Sequence, residues 1–143
     1  MLTLQTKQIE LATSDIDARA TWGTASFQED AIVLLHVRDA AEPIALRPTA
    51  NQLTVGRSDN TSPIRPDLDL TPYGAMEKGV SRLHAAIVRN EDTLTLVDLN
   101  SSNGTFLNGQ LLVPDTPRVL RDGDEIRFGR LVAHLYFQGE PGF

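Results

Sequence analysis

Val80-Ser81-Arg82-Leu83-His84-Ala85 and Asp98-Leu99-Asn100-Ser101-Ser102-Asn103-Gly104-Thr105 bracket the stretch that decides the fold. Between them, residues 84–89 and 93–98 alternate on either side of Asn90-Glu91-Asp92, which predicts two paired strands joined by a turn. Immediately downstream, residues 105–107 and 110–112 flank Asn108-Gly109, the pair preferred in a type I′ hairpin turn. Working outward, short extended runs are expected at 31–37, 44–46, 52–55, 68–70, 118–120, 125–128 and 131–137. Only residues 73–77 have the makings of a helical turn. Many short strands punctuated by turn signals predict an all-β sandwich or barrel.

Residues 1–29 differ from the rest, with weak periodicity and a composition rich in Thr, Ala, Asp and Gln. They read as a flexible or loosely docked N-terminal arm, with Trp22 and Phe27 available to pin its end. The expected division is an arm at 1–29, one domain at 30–138 and a short tail at 139–143. A chain of 143 residues, 41% hydrophobic and 22% charged, can bury a real core as one domain. It contains no apolar run long enough to span a bilayer as a helix, and no signal-peptide core at the N-terminus, so the expectation is a cytoplasmic protein without membrane contact. The absence of cysteine removes disulfides and thiolate metal sites. A net charge of −6 argues against non-specific nucleic-acid binding, which needs a basic face. It leaves room for a small anion site made of a few arginines and backbone N–H groups.

The polar clusters supply that inventory. Val55-Gly56-Arg57-Ser58 ends a strand in an arginine, whose planar fork can make two parallel bonds to phosphate oxygens. Ser81 and Arg82 precede the next strand, and Ser102-Asn103 sit in the loop that follows it. Three alternatives are open to these residues. Ser81, His84 and Asp98 can be drawn as a hydrolytic triad. No nucleophile elbow accompanies them, and an odd spacing of three on an extended segment sets Ser81 and His84 on opposite faces. The second is a scaffold that binds unphosphorylated protein through a sandwich face. The third is capture of a phosphate on a peptide. The three widely separated histidines give no metal cluster, and no Gly-x-x-x-x-Gly-Lys phosphate loop is present, so neither a metal nor a cofactor is expected.

Glycine-arginine, then serine-arginine-x-histidine, then serine-serine-asparagine-glycine-threonine, then asparagine-glycine, in that order, resembles the forkhead-associated (FHA) domain, bacterial type. The likeness covers roughly residues 30–138. It implies a β-sandwich of about eleven strands, related to the SMAD fold, that binds phosphothreonine segments of partner proteins in Ser/Thr-kinase signalling and has no catalytic residues. By resemblance, Arg57, Ser81, Arg82 and Ser102 bind phosphate and Asn103 grips the peptide backbone. Serine at 102 is a mild departure, since many members carry threonine there. Gly56, His84, Gly104, Thr105, Asn108 and Gly109 are expected to support the site, with His84 as a structural hydrogen-bonding residue. Residues 58–80, with three prolines, form an insertion-like loop beside the binding edge, either shaping selectivity or packing along the sandwich. Thr6 and Thr13 are each followed three residues later by isoleucine, so the arm itself, if phosphorylated, is a candidate ligand.

Overall fold

The computed structural model describes residues 23–48 and 52–139. They form eleven strands in two sheets: β1 (Ile32–Val37), β2 (Ile44–Leu46), β3 (Gln52–Gly56), β4 (Leu68–Asp69), β5 (Leu83–Asn90), β6 (Thr93–Asp98), β7 (Thr105–Leu107), β8 (Gln110–Leu111), β9 (Arg118–Val119), β10 (Glu125–Phe128) and β11 (Leu131–Gln138). One sheet runs β2-β1-β11-β10-β7-β8 and the other β4-β3-β5-β6-β9. All pairings are antiparallel except β3 with β4.

Alternation fixes which face each strand buries. Val33, Leu35 and Val37 of β1 point inward, as do Leu131, Ala133 and Leu135 of β11, and they meet Ile87, Leu94 and Leu96 from the other sheet in one core. Phe27, assigned by its sequence to the arm, is fully buried. Its ring packs edge-on against Phe137 at 5.0 Å, its N–H donates to the Asp92 carbonyl at 2.7 Å, and the Arg89 guanidinium lies 4.8 Å from the ring centre. Trp22, Thr6 and Thr13 lie outside the described residues.

Two departures from the expected pattern bear on the edge where β3, β5 and β7 begin or end. The helical turn lies at Thr71–Tyr73 rather than 73–77, and it is a 3₁₀ turn. Pro72 presets the first-turn dihedral, and Gly74 takes a left-handed conformation that ends the helix where it was expected to start. The chain then winds through non-helical turns, with Val80 N–H donating to Ala75 O at 2.9 Å. The second departure is a register shift. Val55 pairs with Ala85 but Gly56 pairs with Leu83, so His84 is the extra residue of a β-bulge. The bulge breaks the parity of β5, and His84, Ala85, Ala86 and Ile87 are buried in succession.

Candidate functional site

The rim of the site starts at the end of β3. A side chain on Gly56 would place its Cβ 1.9 Å from the Arg82 carbonyl, so only glycine lets the strand end lie against the chain that enters β5. The Arg57 N–H then donates to that carbonyl at 3.2 Å, which sets Arg57 beside Arg82. The Arg57 side chain is pinned by Nε, which donates to the Val80 carbonyl at 2.7 Å. Its exposure is only 17%, so the arginine that ends the strand, as expected, carries a guanidinium that is held in place.

Both arginines converge on one carboxylate. Arg57 Nη1 and Arg82 Nε each donate to Asp59 Oδ2 at 2.9 Å. The second oxygen, Oδ1, accepts from the Thr61 hydroxyl at 2.7 Å and the Thr61 N–H at 2.9 Å, and Arg82 Nη2 closes the ring on the Thr61 hydroxyl at 3.1 Å. The Thr61 hydroxyl, then Arg82, the Thr61 N–H and Arg57, hold the Asp59 carboxyl well below the usual carboxylate range, overcoming a small opposing effect of burial. Asp59 and Thr61 were not singled out in the sequence; an acid two residues after a candidate phosphate-binding arginine was the available signal.

The hydroxyls and the amide come from the next two loops. Ser81 Oγ accepts the backbone N–H of Ser102 at 3.1 Å, which ties the start of β5 to the loop between β6 and β7. Ser102 and Asn103 are exposed. Asn103 Nδ2 donates to the Gly79 carbonyl at 2.9 Å, so the amide bridges to the end of the 58–80 segment while its oxygen faces no described partner. That segment does pack along the sandwich, since Leu68, Leu70, Ala75 and Val80 are buried. It is shaped by Asp69, whose carboxyl is somewhat desolvated. Hydrogen bonds from Ser58 and Thr71 outweigh that burial and lower its pKa.

Beneath the loops lies a buried polar hub. The His84 ring accepts the Ser81 N–H at Nδ1, 3.0 Å away, and Nε2 sits 2.9 Å from the Gly104 carbonyl. A carbonyl only accepts, so Nε2 carries the proton and both nitrogens are committed to backbone. Burial lowers the His84 pKa, against weaker opposing effects of the Gly104 carbonyl and the Asp98 charge. Phe128 packs edge-on against the ring at 5.7 Å. Asp98, also buried, accepts from the Ser101 hydroxyl and the Thr105 hydroxyl at 2.6 Å each, and from the Ser101 N–H at 3.2 Å. The Ser101 hydroxyl in turn accepts the Gly104 N–H at 3.0 Å. The triad geometry is therefore absent: Ser81 Oγ meets Ser102 rather than the imidazole, and Asp98 holds hydroxyls rather than a ring N–H. The imidazole does meet Ser81, but through the backbone N–H and not through the hydroxyl.

Asn108 and Gly109 occupy the turn at the far end of β7, both with positive φ, 51° and 84°, as a type I′ hairpin requires. Asn108 is fastened to the start of β10 through Asp124 and the Glu125 N–H, at 2.9 Å each. A cleft of about 440 Å³ opens against the other flank of the Ser102–Asn103 loop, with Phe106, Leu111 and Pro114 in its wall.

Comparison with known proteins bears on the family and the fold. The sequence matches the FHA domain family over residues 53–129. Protein FraH of Nostoc is 36% identical over 105 residues, covering 72% of this chain and 35% of FraH. The oxoglutarate dehydrogenase inhibitor of Corynebacterium jeikeium is 45% identical over 51 residues, covering 36% of this chain and 33% of that protein. The chain thus spans about a third of the length of these bacterial relatives. Among solved structures, one from work on phosphothreonine-dependent FHA domain interactions is 27% identical with a TM-score of 0.59, covering 76% of this chain and 99% of that one. The FhaA FHA domain, complexed with the intracellular domain of another protein, is 27% identical with a TM-score of 0.56, covering 72% and 98%. With the family match extending over more than half its length, and eleven strands in two sheets around one core, this chain belongs to the FHA domain family.

Proposed function

We propose that this chain recognises phosphothreonine-containing segments of partner proteins in Ser/Thr-kinase signalling, with Arg57, Ser81, Arg82 and Ser102 as phosphate ligands and Asn103 as the clamp on the peptide backbone. The observation that carries this reading is the meeting of two guanidinium groups at one carboxylate oxygen, 2.9 Å from each. Two side chains from different strand ends are already aimed at a single oxyanion. Around them, the hydroxyl hydrogens of Ser81 and Ser102 and the second amide N–H of Asn103 have no described protein acceptor. Phosphate, with three acceptor oxygens and close to two charges, matches that donor set.

The magnitudes support micromolar affinity. A charge-assisted hydrogen bond nets about 1.5–3 kcal/mol, so three or four supply the roughly 8 kcal/mol of a micromolar complex once ordering costs are met. Discrimination of threonine from serine rests on one methyl, about 1 kcal/mol, so the preference is real but moderate. The apolar wall of the neighbouring cleft would receive a peptide side chain near the phosphothreonine. Binding uses no catalytic step, since the imidazole that a hydrolase would need is committed to backbone at both nitrogens.

The test is a fluorescence-anisotropy titration of a phosphothreonine peptide library before and after phosphatase treatment. The reading expects micromolar hits that vanish on dephosphorylation. Hits that bind equally well in both forms would replace it with a phosphorylation-independent scaffold.

A further inference from the structure

The rim that is proposed to take phosphate is already paired. Asp59 Oδ2 receives both Arg57 and Arg82, and Thr61 holds the other oxygen from its hydroxyl and its N–H. The carboxylate is mostly covered, with 18% of its side chain exposed. It stands two residues from Arg57 along the chain, so its local concentration is fixed by a short tether, millimolar or higher. A phosphate arriving at these arginines meets a negative charge in place.

We propose that Asp59 is a specificity-determining residue of this site: a built-in carboxylate that competes with the ligand for Arg57 and Arg82, and so restricts the site to anions stronger than a carboxylate. The proposal rests on the phosphothreonine reading above. A glutamate or aspartate on a partner offers the same charge and geometry as Asp59 but lacks its tether, so exchange gains nothing. A phosphothreonine brings a second charge and a third oxygen, and displaces the carboxylate or shares the guanidinium groups with it. The device fits a module that must ignore acidic segments on other proteins. The opposite role is physically distinct: if Asp59 served only to position the arginines, removing it would loosen the site and weaken every anion alike.

The experiment compares wild type, Asp59→Asn and Asp59→Ala by calorimetric titration. The probe is one phosphothreonine peptide found in the library screen, the same peptide with glutamate at that position, and the unmodified threonine form. Thermal melts and amide spectra confirm that each variant is folded; Asp59→Asn keeps the shape of the side chain and Asp59→Ala removes it. Both variants are expected to bind the phosphopeptide about fivefold tighter, the scale of one charge contact at a surface. The glutamate peptide should become a measurable ligand, so that the ratio between the two narrows. Phosphopeptide binding that is unchanged or weaker in both variants, with wild type binding normally, overturns the proposal and leaves the phosphothreonine reading intact. No phosphate-dependent binding by any of the three proteins overturns both. Binding by the variants but not by wild type would support the competitor at its strongest.

Discussion

Two polar clusters lie a few residues apart at one edge of the sandwich, and they are built in opposite ways. The His84–Asp98 hub is buried, and it acts mostly on main chain: it fixes the Ser81 N–H, the Gly104 carbonyl and the Ser101 N–H, with two serine and threonine hydroxyls filling the rest. The Arg57–Asp59–Arg82 cluster lies at the rim and is joined mostly side chain to side chain. A buried polar network that is fully paired holds one geometry, because any lost partner leaves an unsatisfied group in a low dielectric. A rim network can exchange partners, because water and a ligand can replace any of them. The lesson is a division of labour: the hub shapes the loops, and the rim is the part that the proposed function asks to exchange its anion.

The comparison breaks most visibly at His84. His84→Ala removes both ring bonds and opens a cavity beside Phe128, so stability should fall by about 3 kcal/mol, and a thermal melt should show a drop of about 10 °C or more. An unchanged melt would place the hub among ordinary surface contacts. Asp98→Asn keeps the shape but turns one acceptor oxygen into a donor, which then opposes either the Ser101 N–H or the two hydroxyls, and a loss of about 2 kcal/mol is expected in denaturant unfolding with the m-value unchanged. The rim should behave otherwise. Ser102→Ala leaves the melt unaltered and weakens phosphopeptide binding by about five- to tenfold, one hydrogen bond's share, as read by anisotropy. The smallest effect is one of pH. Because the folded state depresses the His84 pKa, the unfolded chain takes up a proton first as pH falls below about 6.5, so stability is full above that value and declines below it. Melts between pH 7.5 and 5 should show this decline in wild type and a shallower one in His84→Ala; Asp59 and Asp69, whose folded pKa values are lowered, contribute only when pH falls into the ordinary carboxylate range.

Much of this architecture was legible beforehand, for physical reasons. Period-two alternation in residues 93–98 and 125–128 and the Asn108-Gly109 turn are local signals, and those elements appear at the expected places. The bulge at His84 was not legible, since it is a relation between β3 and β5 that neither strand carries alone. The 3₁₀ turn is a different case: Pro72 starts it and Gly74 ends it, local signals that place it before residues 73–77. At the site, the motif order points to Arg57, Ser81, Ser102 and Asn103, but it gives no hint that Asn103 rests on Gly79 or that Asp59 closes on both arginines. Those are contacts made by a 23-residue detour, residues 58–80, folding back along the sandwich. Phe27 was named in the sequence as a residue available to pin the arm, and it is buried; what the sequence did not show is its seat against Phe137 and Arg89, far away in sequence.

The central claim is that the rim reads phosphate through Arg57. The measurement that tests it most directly is a double-mutant cycle: wild type and Arg57→Ala, each titrated with one peptide in its phosphothreonine and unmodified threonine forms. The account predicts that Arg57→Ala costs the phosphorylated peptide at least about 2 kcal/mol more than the unmodified one, with only a modest fall in melting temperature from the lost bond to Val80. Equal weakening of both forms, leaving no coupling between Arg57 and the phosphate, would contradict it.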